Sequence, residues 1–276
     1  MKSFANKVAA ITGAGSGIGR AIALNLAQQG CHLALSDVNE TGLAETVGLA
    51  KAYGVNITSQ KLDVADKDGV HAWADTVARE HGKVNLIFNN AGVALGSTVE
   101  GISYDELAWV MNINFWGVVY GTKAFLPYLK ASGEGHIINI SSVFGICAQP
   151  TQCAYNASKF AVRGFTEALR QELDLEKAPV SVTCIHPGGI KTNIAKAAKM
   201  NDSVKTVGLD PVNSTKNFDK LLRTSPEDAA KVILKAVQKD ARRALIGTDA
   251  YAIDVMQRLL PTGYQHIVSL STRLMK

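Results

Sequence analysis

Short apolar runs and amphipathic stretches alternate along the first 190 residues of the chain. The apolar runs are rich in aliphatic and β-branched residues, and each one ends at a glycine or a polar residue. Buried strands that alternate with amphipathic helices are typical of right-handed βαβ units, in which helices cover both faces of a parallel sheet. We therefore predict strands at 7–11, 32–36, 57–62, 86–88, 136–140 and 180–185.

The stretches between these strands predict helices, among them 20–29, a long helix over 106–131 and another over 155–177. The chain contains no internal repeat, low-complexity segment or linker. The predicted fold class is therefore α/β: a doubly wound parallel sheet with helices on both faces, in a single domain over 1–276.

The pattern weakens toward the C-terminus. Residues 191–224 are rich in Asn, Asp, Ser, Thr and Lys, and we interpret them as a lid over the substrate. Ser225 and Pro226 open another helix, and 244–246 form a last strand. The C-terminal extension, 248–276, contains an amphipathic stretch at 251–260 and a partly apolar tail. It could cover the active site, pack on a neighbouring subunit or lie on a membrane, and we favour packing on the core.

Composition narrows the class of protein. The 276 residues are 47% hydrophobic and 19% charged, as in globular proteins. No apolar run approaches the roughly 18 residues of a membrane span, and the start of the chain leaves no room for a signal peptide. We therefore predict a cytoplasmic protein with no transmembrane segment, whose four cysteines are free thiols and bind no metal.

Charge is distributed unevenly along the chain. Residues 1–190 hold 14 Lys and Arg against 16 Asp and Glu, whereas residues 191–276 hold 15 against 8. A basic C-terminal portion suits an acidic partner, an anionic substrate or a membrane surface, although dispersed charge is more often a solvated helical face. No basic block is interleaved with aromatic residues, so we predict no nucleic-acid partner.

A glycine-rich turn follows the first predicted strand. Its glycines fit the spacing GxxxGxG through Gly13, Gly17 and Gly19, with Ser16 and Ile18 between them. Glycine allows a tight turn and a close approach of the backbone to a pyrophosphate, and the helix that follows points its N-terminus at the phosphates. A strand before the turn and a helix after it strengthen the prediction of a dinucleotide site.

Asp37 ends the second strand, where a carboxylate accepts hydrogen bonds from both hydroxyls of the adenosine ribose. The same carboxylate would repel a 2′-phosphate, and Val38 and Asn39, which follow it, offer no cation. We therefore favour NAD(H). NADP(H) stays open, because Arg20 is the one nearby cation that could bind a 2′-phosphate.

Several motifs together resemble the short-chain dehydrogenase/reductase family in its single-domain form, over about residues 7–192. The family's fold is a Rossmann-like, doubly wound parallel sheet. The matching motifs are Thr12-Gly13-x-x-x-Gly17-x-Gly19, Asp63-Val64, Asn89-Asn90-Ala91-Gly92, Asn114-Phe115-Trp116-Gly117, Ser142, Tyr155-x-x-x-Lys159 and Pro187-Gly188.

The resemblance implies four catalytic residues: Asn114, Ser142, Tyr155 and Lys159. Tyr155 and Lys159 lie one helical turn apart and so share a face. A phenol normally titrates near pH 10, and we expect the Lys159 ammonium and the positive nicotinamide ring to lower the pKa of Tyr155 so that it can act as a general base. Ser142 would hydrogen-bond the substrate oxygen, and Asn114 would anchor a water in a proton relay to Lys159.

The resemblance also implies which residues bind the cofactor. Asp63 and Val64 would contact the adenine, and Lys159 would hold the nicotinamide ribose beside Tyr155. Residues 89–92 would line the adenosine side, and the segment after the Pro-Gly motif would hold the carboxamide. These last two groups comprise Asn89, Asn90, Ala91, Gly92, Pro187, Gly188, Ile190 and Thr192.

The predicted function is an NAD(H)-dependent alcohol dehydrogenase or carbonyl reductase, acting on a hydrophobic secondary or primary alcohol and its ketone or aldehyde. The candidate walls of the substrate site are nearly all apolar: Val93, Ala94, Leu95, Val143, Phe144, Ile146, Cys147, Gln149 and Cys153. The family resemblance also implies a homo-oligomer that pairs the long helices, either a dimer or a tetramer, with the tetramer favoured. The apolar Phe160, Val162, Phe165 and Leu169 are consistent with this.

Two alternatives stay open. One is an NADPH-dependent ketoreductase of acyl thioesters, for which the basic C-terminal portion would offer a docking surface. The other is a catalytically silent, dinucleotide-sensing regulatory protein, although loss of catalysis would be expected to remove Ser142, Tyr155 or Lys159 first, and all three are present. A Rossmann epimerase or dehydratase would need a larger second domain, for which no room is left.

Overall fold

The computed structural model describes residues 1–210 and 222–274. Seven strands form one sheet in the order β3-β2-β1-β4-β6-β7-β9, and every pairing in it is parallel. The bounds of the sheet are β1 Val8–Thr12, β2 His32–Asp37, β3 Ile57–Lys61, β4 Leu86–Asn89, β6 Gly135–Ile140, β7 Val180–Pro187 and β9 Arg243–Ile246. The six strands predicted in the first 190 residues are therefore all present, with ends that differ by one or two residues.

Helices cover both faces of this sheet. On one face, Ile22 and Leu26 pack in a buried cluster with Ile233 of a C-terminal helix; on the other, Trp73 packs edge-on to Phe125 at a centroid distance of 5.1 Å. The single-domain, doubly wound fold is therefore confirmed. The helices are α1 Gly17–Gln28, α2 Glu40–Ala50, α3 Lys67–His81, α4 Tyr104–Met111, α5 Gly117–Ala131, α6 Cys153–Glu176, α7 Asn193–Lys196, α8 Pro226–Gln238, α9 Thr248–Leu259 and α10 Tyr264–Leu274.

The sheet order reverses at β1, since β2 and β3 lie on one side of it and β4, β6, β7 and β9 on the other. In such open sheets, ligands bind outside the carboxyl ends of the strands at this switch point. The glycine turn follows β1, and the Asn-Asn-Ala-Gly motif begins at the end of β4. Both motifs therefore lie at the switch point.

The long helix predicted over 106–131 is present over 104–131, but its interior contains a turn that the prediction did not include. A π-helical turn, Asn112–Trp116, separates α4 from α5. The side chain of Asn114 in this turn is fully buried. It forms hydrogen bonds with the backbone of Val93 and with Ser158, so that the turn holds a buried polar side chain among hydrogen-bonding partners. Turns of this kind occur often at functional sites.

The segment 191–210 contains more regular structure than its composition indicated. It includes α7, a two-residue strand β8 (Lys199–Met200) and a 3₁₀ turn (Asp202–Val207). Strand β8 pairs in parallel with β5 (Leu95–Gly96), the short strand that follows the Asn-Asn-Ala-Gly motif. The predicted lid, 191–224, stays a prediction, because residues 211–221 lie outside the described part of the chain.

The C-terminal extension forms the helices α9 and α10. Tyr264 and Val268 of α10 pack with Cys147, and Ile253 of α9 packs beside them. Gln149 donates a hydrogen bond from Nε2 to Thr272 Oγ1 over 3.2 Å. In the described residues, the extension therefore packs on the segment between Ser142 and Tyr155. None of the described helices is long and apolar enough to cross a lipid bilayer.

Candidate active site

The four predicted catalytic residues come from three neighbouring parts of the fold. Ser142 follows β6 and caps a short 3₁₀ turn, where its Oγ accepts a hydrogen bond of 3.1 Å from the Phe144 amide. Tyr155 and Lys159 lie in the first two turns of α6, and Asn114 lies in the π-helical turn packed against that helix. The structure thus brings all four residues together at the carboxyl edge of the sheet.

Lys159 is held rigidly. Its ammonium is buried, donates to the carbonyl oxygen of Ile140 over 3.0 Å, and lies 5.6 Å from the centroid of the Tyr155 ring. Its own carbonyl accepts a hydrogen bond of 2.8 Å from Ser141 Oγ. Burial lowers the pKa of Lys159 to about 8, because the charged form loses water. The ammonium is therefore still the major form at neutral pH.

The surroundings of Tyr155 act on its pKa in two directions. Burial of the phenol raises the pKa of Tyr155 above its usual value, and the Ser142 side chain acts in the opposite direction. Loss of water around the phenolate dominates in the protein by itself, and the lowering expected from Lys159 and the nicotinamide ring together stays a prediction. The Phe144 ring lies perpendicular to the Tyr155 ring at a centroid distance of 6.1 Å, which adds to this apolar environment.

Asn114 connects the segment after β4 to helix α6. Its Oδ1 accepts a hydrogen bond of 2.8 Å from the Val93 amide, and its Nδ2 donates to the Val93 carbonyl over 2.9 Å and to Ser158 Oγ over 3.2 Å. A Cβ atom added to Gly92 would lie 3.2 Å from Asn114 Oδ1 and 3.6 Å from Lys159 Nζ. Asn114 and Lys159 therefore approach the same point of the backbone, and the water relay between them stays a prediction.

His186, which the sequence motifs did not indicate, holds the backbone of Ser142. The imidazole is fully buried in β7, and its Nδ1 donates to the Ser142 carbonyl oxygen over 3.0 Å. Burial lowers the pKa of His186 to about 4, so that the ring is neutral at pH 7. The contact joins positions 44 residues apart, and no local spacing in the sequence could have shown it.

The glycine turn has the backbone that a pyrophosphate needs. Gly13 and Gly17 have φ angles of +66° and +52°, which side chains with a Cβ rarely adopt. Asn90 braces the turn, because its Nδ2 donates to the carbonyls of Thr12 and Gly13 over 2.9 and 3.1 Å. Thr12 Oγ1 in turn accepts hydrogen bonds from the Asn90 and Ala91 amides. The turn and the Asn-Asn-Ala-Gly motif therefore form one unit that fits a dinucleotide.

Asp37 faces this turn from the end of β2. One carboxylate oxygen accepts a hydrogen bond of 2.8 Å from the Gly15 amide, and the other accepts one of 2.8 Å from the Asn39 amide. Arg20, the cation that left NADP(H) open, lies at the same turn, where its guanidinium donates to the Gly15 carbonyl. Its guanidinium bonds to Thr46 Oγ1 at 2.9 Å, to the Gly42 carbonyl at 3.1 Å and to Glu45 at 2.8 Å. Arg20 thus joins α1 to α2.

The remaining predicted cofactor residues lie along the same edge. Thr192 approaches Gly17, since a Cβ atom built on the glycine would lie 3.1 Å from the Thr192 methyl carbon. Asp63 is exposed, whereas Val64 is buried against Gly117. Asn89 differs from the other members of its motif, because its side chain is buried and bonds to Thr122 and Asn139. That side chain therefore packs inside the subunit. The other predicted cofactor-binding residues on this edge are Ser16, Ile18, Gly19, Gly92, Pro187, Gly188 and Ile190.

Asp249 of α9 is a second residue that sequence reasoning missed. Its Oδ2 accepts a hydrogen bond of 2.7 Å from the Gly189 amide, directly after the Pro-Gly motif. A Cβ atom on Gly188 would collide with the same carboxylate, so the glycine is required for this approach. Asp249 lies 60 residues from its partner along the chain, and its own sequence surroundings carry no signal.

The apolar walls predicted for the substrate site need correction. Leu95 is buried in a separate cluster with Val110 and Ala154. Val143, Ile146 and Cys147 are also buried, and they pack toward the C-terminal helices. The partly exposed positions of the predicted set remain as candidate walls: Val93, Ala94, Phe144, Gln149 and Cys153.

The fold and this edge of the sheet define a dinucleotide-binding oxidoreductase with a Tyr-Lys pair. The family model for short chain dehydrogenases matches residues 7–203. The SadH protein of Mycobacterium tuberculosis, named as an oxidoreductase, is 51% identical over 270 residues, which are 98% of this chain and 96% of SadH. The chain therefore belongs to the short-chain dehydrogenase family and is an oxidoreductase.

Solved structures resemble the chain over most of its length. A short chain dehydrogenase/reductase from Burkholderia phymatum, in complex with NAD, has a TM-score of 0.86 and 31% identity, and covers 95% of this chain and 96% of its own. An alcohol dehydrogenase from the archaeon Thermococcus sibiricus, complexed with 5-hydroxy-NADP, has a TM-score of 0.71 and 27% identity, and covers 87% and 95%. These neighbours support a nicotinamide dinucleotide as the cofactor.

Proposed function

We propose that the protein is an NAD(H)-dependent alcohol dehydrogenase or carbonyl reductase that interconverts a hydrophobic alcohol and its ketone or aldehyde. The observation that carries the proposal is the convergence of Tyr155, Lys159 and Ser142 on one edge of the sheet. That edge also holds the braced glycine turn, with Asp37 facing it. When bound there, the nicotinamide accepts a hydride from the alcohol carbon or donates one to the carbonyl carbon.

The protein's own residues handle the proton. Tyr155 takes the hydroxyl proton of the alcohol during oxidation and returns it to the carbonyl oxygen during reduction. The Lys159 ammonium, fixed by the Ile140 carbonyl, favours the phenolate of Tyr155 in this exchange. Ser142 Oγ accepts from the Phe144 amide, and its hydroxyl proton, which bonds to Tyr155, would donate to the substrate oxygen and stabilise the charge that develops there.

NAD(H) is the proposed cofactor because the Asp37 carboxylate faces the glycine turn, where it would repel a 2′-phosphate. We expect NAD and NADH to raise the thermal unfolding midpoint more than NADP and NADPH at matched concentrations, since ligands that bind the native state stabilise it. Tenfold tighter binding corresponds to about 1.4 kcal/mol, or roughly 3–5 °C in the midpoint.

A matched pair of variants tests the role of the carboxylate in this preference. Asp37→Ala should reduce the difference between NADH and NADPH, whereas Asp68→Ala, at an exposed position in α3, should leave it unchanged. A larger shift with NADPH than with NADH in the unmodified protein would contradict the proposal. It would favour the NADPH-dependent reductase, the alternative to which the neighbour with 5-hydroxy-NADP points.

A hydrophobic substrate is proposed because most of the partly exposed candidate walls are apolar, among them Val93, Ala94 and Phe144. In a screen with NAD, we expect medium-chain and aromatic alcohols to have kcat/KM values at least about tenfold above those of polyols, as apolar burial favours the former. Equal or higher kcat/KM values for sugars or hydroxy acids would exclude a hydrophobic substrate.

A homo-oligomer is proposed from an aromatic surface at the junction of α5 and α6. Trp116 and Phe160 are 43% and 40% exposed, and Trp116 stacks on Tyr120 at 5.8 Å. Aromatic residues are enriched at subunit interfaces. Val162 and Leu169, which the sequence analysis assigned to the same surface, are buried within the subunit instead.

Light scattering at micromolar concentration should give a mass of two or four times 29.4 kDa. Trp116→Glu should lower this mass, because it places a charge in an apolar contact. Tyr104→Glu, at an almost fully exposed residue of α4, serves as the control. A monomeric mass for the unmodified protein would rule out the oligomer. The cytoplasmic location stays a prediction.

A further inference from the structure

Exposed apolar side chains concentrate on the two C-terminal helices. Tyr251, Val255 and Leu259 follow one another at intervals of four along α9 and therefore share one face of that helix. Leu260, directly after the end of α9, is also exposed, and Ile267 and Leu270 form a second apolar stripe on α10. We call this set the outer face of α9 and α10; it comprises Tyr251, Val255, Leu259, Leu260, Ile267 and Leu270.

The orientation of both helices is set by their opposite sides. Ala250 and Ile253 of α9 pack on the turn after Ser142, and Tyr264 and Val268 of α10 pack with Cys147. Because these contacts occupy the inner sides, the outer face is directed away from the subunit. Leu259, for example, is 74% exposed. A contiguous apolar surface of this kind usually marks an interaction site.

The charges around the outer face have one sign. Both acidic residues of 248–274 face inward: Asp249 binds the Gly189 amide, and Asp254 is buried between Arg243 and Arg258. The exposed charged side chains of the two helices, within the described residues, are Arg273 and Arg258, and Arg258 is 59% exposed while it pairs with Asp254 at 2.9 Å. Arg258 lies one turn from Val255 along α9, and Arg273 lies one turn from Leu270 along α10, so each arginine borders the apolar stripe of its helix.

We propose that the outer face of α9 and α10 docks on the surface of an anionic phospholipid bilayer. Helices with an apolar stripe and bordering arginines lie in the interfacial region, where the apolar side enters the acyl boundary and the cations meet anionic headgroups. A second copy of this chain fits less well. A two-fold contact would pack this face on the same face of the second copy, where no exposed acid on the described residues of these helices is available to pair with the arginines.

Docking of this kind would bring the bilayer close to the active site. The inner sides of the two helices cover the segment that joins Ser142 to Tyr155, so one helix layer separates that segment from the outer face. A substrate dissolved in the bilayer would then have a short path to Tyr155. This last consequence rests on the proposed function, whereas docking itself does not.

Vesicle flotation tests the docking without any substrate. The full chain is mixed with vesicles of phosphatidylcholine alone or of phosphatidylcholine with phosphatidylserine. We expect flotation with the anionic vesicles, weaker flotation with the neutral ones, and a decrease of binding to the anionic vesicles as salt is raised. Equal absence of binding to both kinds of vesicle would overturn the proposal without the use of a variant.

Variants locate the contact on the protein. Leu259→Ser with Leu270→Ser should lower the partition coefficient on anionic vesicles by about tenfold or more. Leu175→Ser, at an 85% exposed leucine of α6, is the matched apolar control and should have no effect. Arg258→Gln with Arg273→Gln should remove the preference for anionic vesicles, and Lys231→Gln, an exposed lysine of α8, is its control.

Two readouts distinguish bilayer docking from misfolding of a variant and from contact between subunits. The thermal midpoint of each variant shows that it is folded, as expected for exposed positions. If the double leucine variant changes the mass in light scattering and leaves vesicle binding unaltered, the outer face is a subunit interface and the proposal is wrong. Oxidation of a water-soluble alcohol without vesicles should be unchanged in the double variant, so failure of docking and failure of the proposed activity remain distinguishable.

Discussion

Replacing Tyr155 with phenylalanine is expected to lower kcat/KM for alcohol oxidation by about 10³-fold, within the range that general acid–base catalysis contributes. The variant keeps the ring that packs edge-on to Phe144 at 6.1 Å and removes only the hydroxyl that carries the proton. We expect the stabilisation by NADH to be retained, because the glycine turn and Asp37 are untouched. Steady-state kinetics with the best alcohol from the substrate screen measures the first effect, and thermal unfolding measures the second.

Tyr104→Phe is the matched control for this prediction. Tyr104 begins α4 and is 91% exposed, so loss of its hydroxyl should leave kcat/KM unchanged. A Tyr155→Phe variant that keeps kcat/KM within about tenfold of the unmodified protein would show that another group transfers the proton. Absence of turnover in the unmodified protein with every alcohol and carbonyl tested, despite stabilisation by NADH, would favour the dinucleotide-sensing alternative.

Replacing Gly19 with alanine is expected to lower the free energy of unfolding by about 1–3 kcal/mol and to abolish stabilisation by NADH. A Cβ atom at this position would lie 2.1 Å from the Gly13 carbonyl oxygen and 2.7 Å from Asn90 Nδ2. Both neighbours belong to the braced turn, so the turn must move away from the geometry that fits a pyrophosphate. Chemical denaturation gives the stability, and thermal unfolding with and without NADH gives the loss of binding.

Gly48→Ala separates this steric effect from helix propensity. Gly48 lies in α2, and an added Cβ atom there would meet no atom within 4 Å. Alanine is preferred over glycine in helices, so the control should raise the free energy of unfolding by about 0.5–1 kcal/mol. If Gly19→Ala were as stable as Gly48→Ala and still bound NADH, the close approach at the glycine turn would not matter for the cofactor.

Much of the fold follows from local pattern. Strands of a parallel sheet are buried on both faces, so β1 and β4 stand out as nearly continuous apolar runs even without knowledge of their neighbours. Local pattern did not predict the π-helical turn between α4 and α5. The break between α4 and α5 depends on the contacts of Asn114 with Val93 and Ser158, which lie far from it along the chain. Strand β8 was missed because two residues have no measurable period.

For this protein, sequence by itself determined the order of strands and helices, the glycine turn and the residue types of the candidate site, since each depends on short spacings along the chain. Tertiary structure alone decided how those residues are held and charged. It joined His186 to Ser142, placed Asp249 beside Gly189 and engaged Arg20 with α2. It also buried Tyr155 deeply enough to raise its pKa. Desolvation and contacts between distant segments arise only when the chain is packed, and no local spacing encodes them.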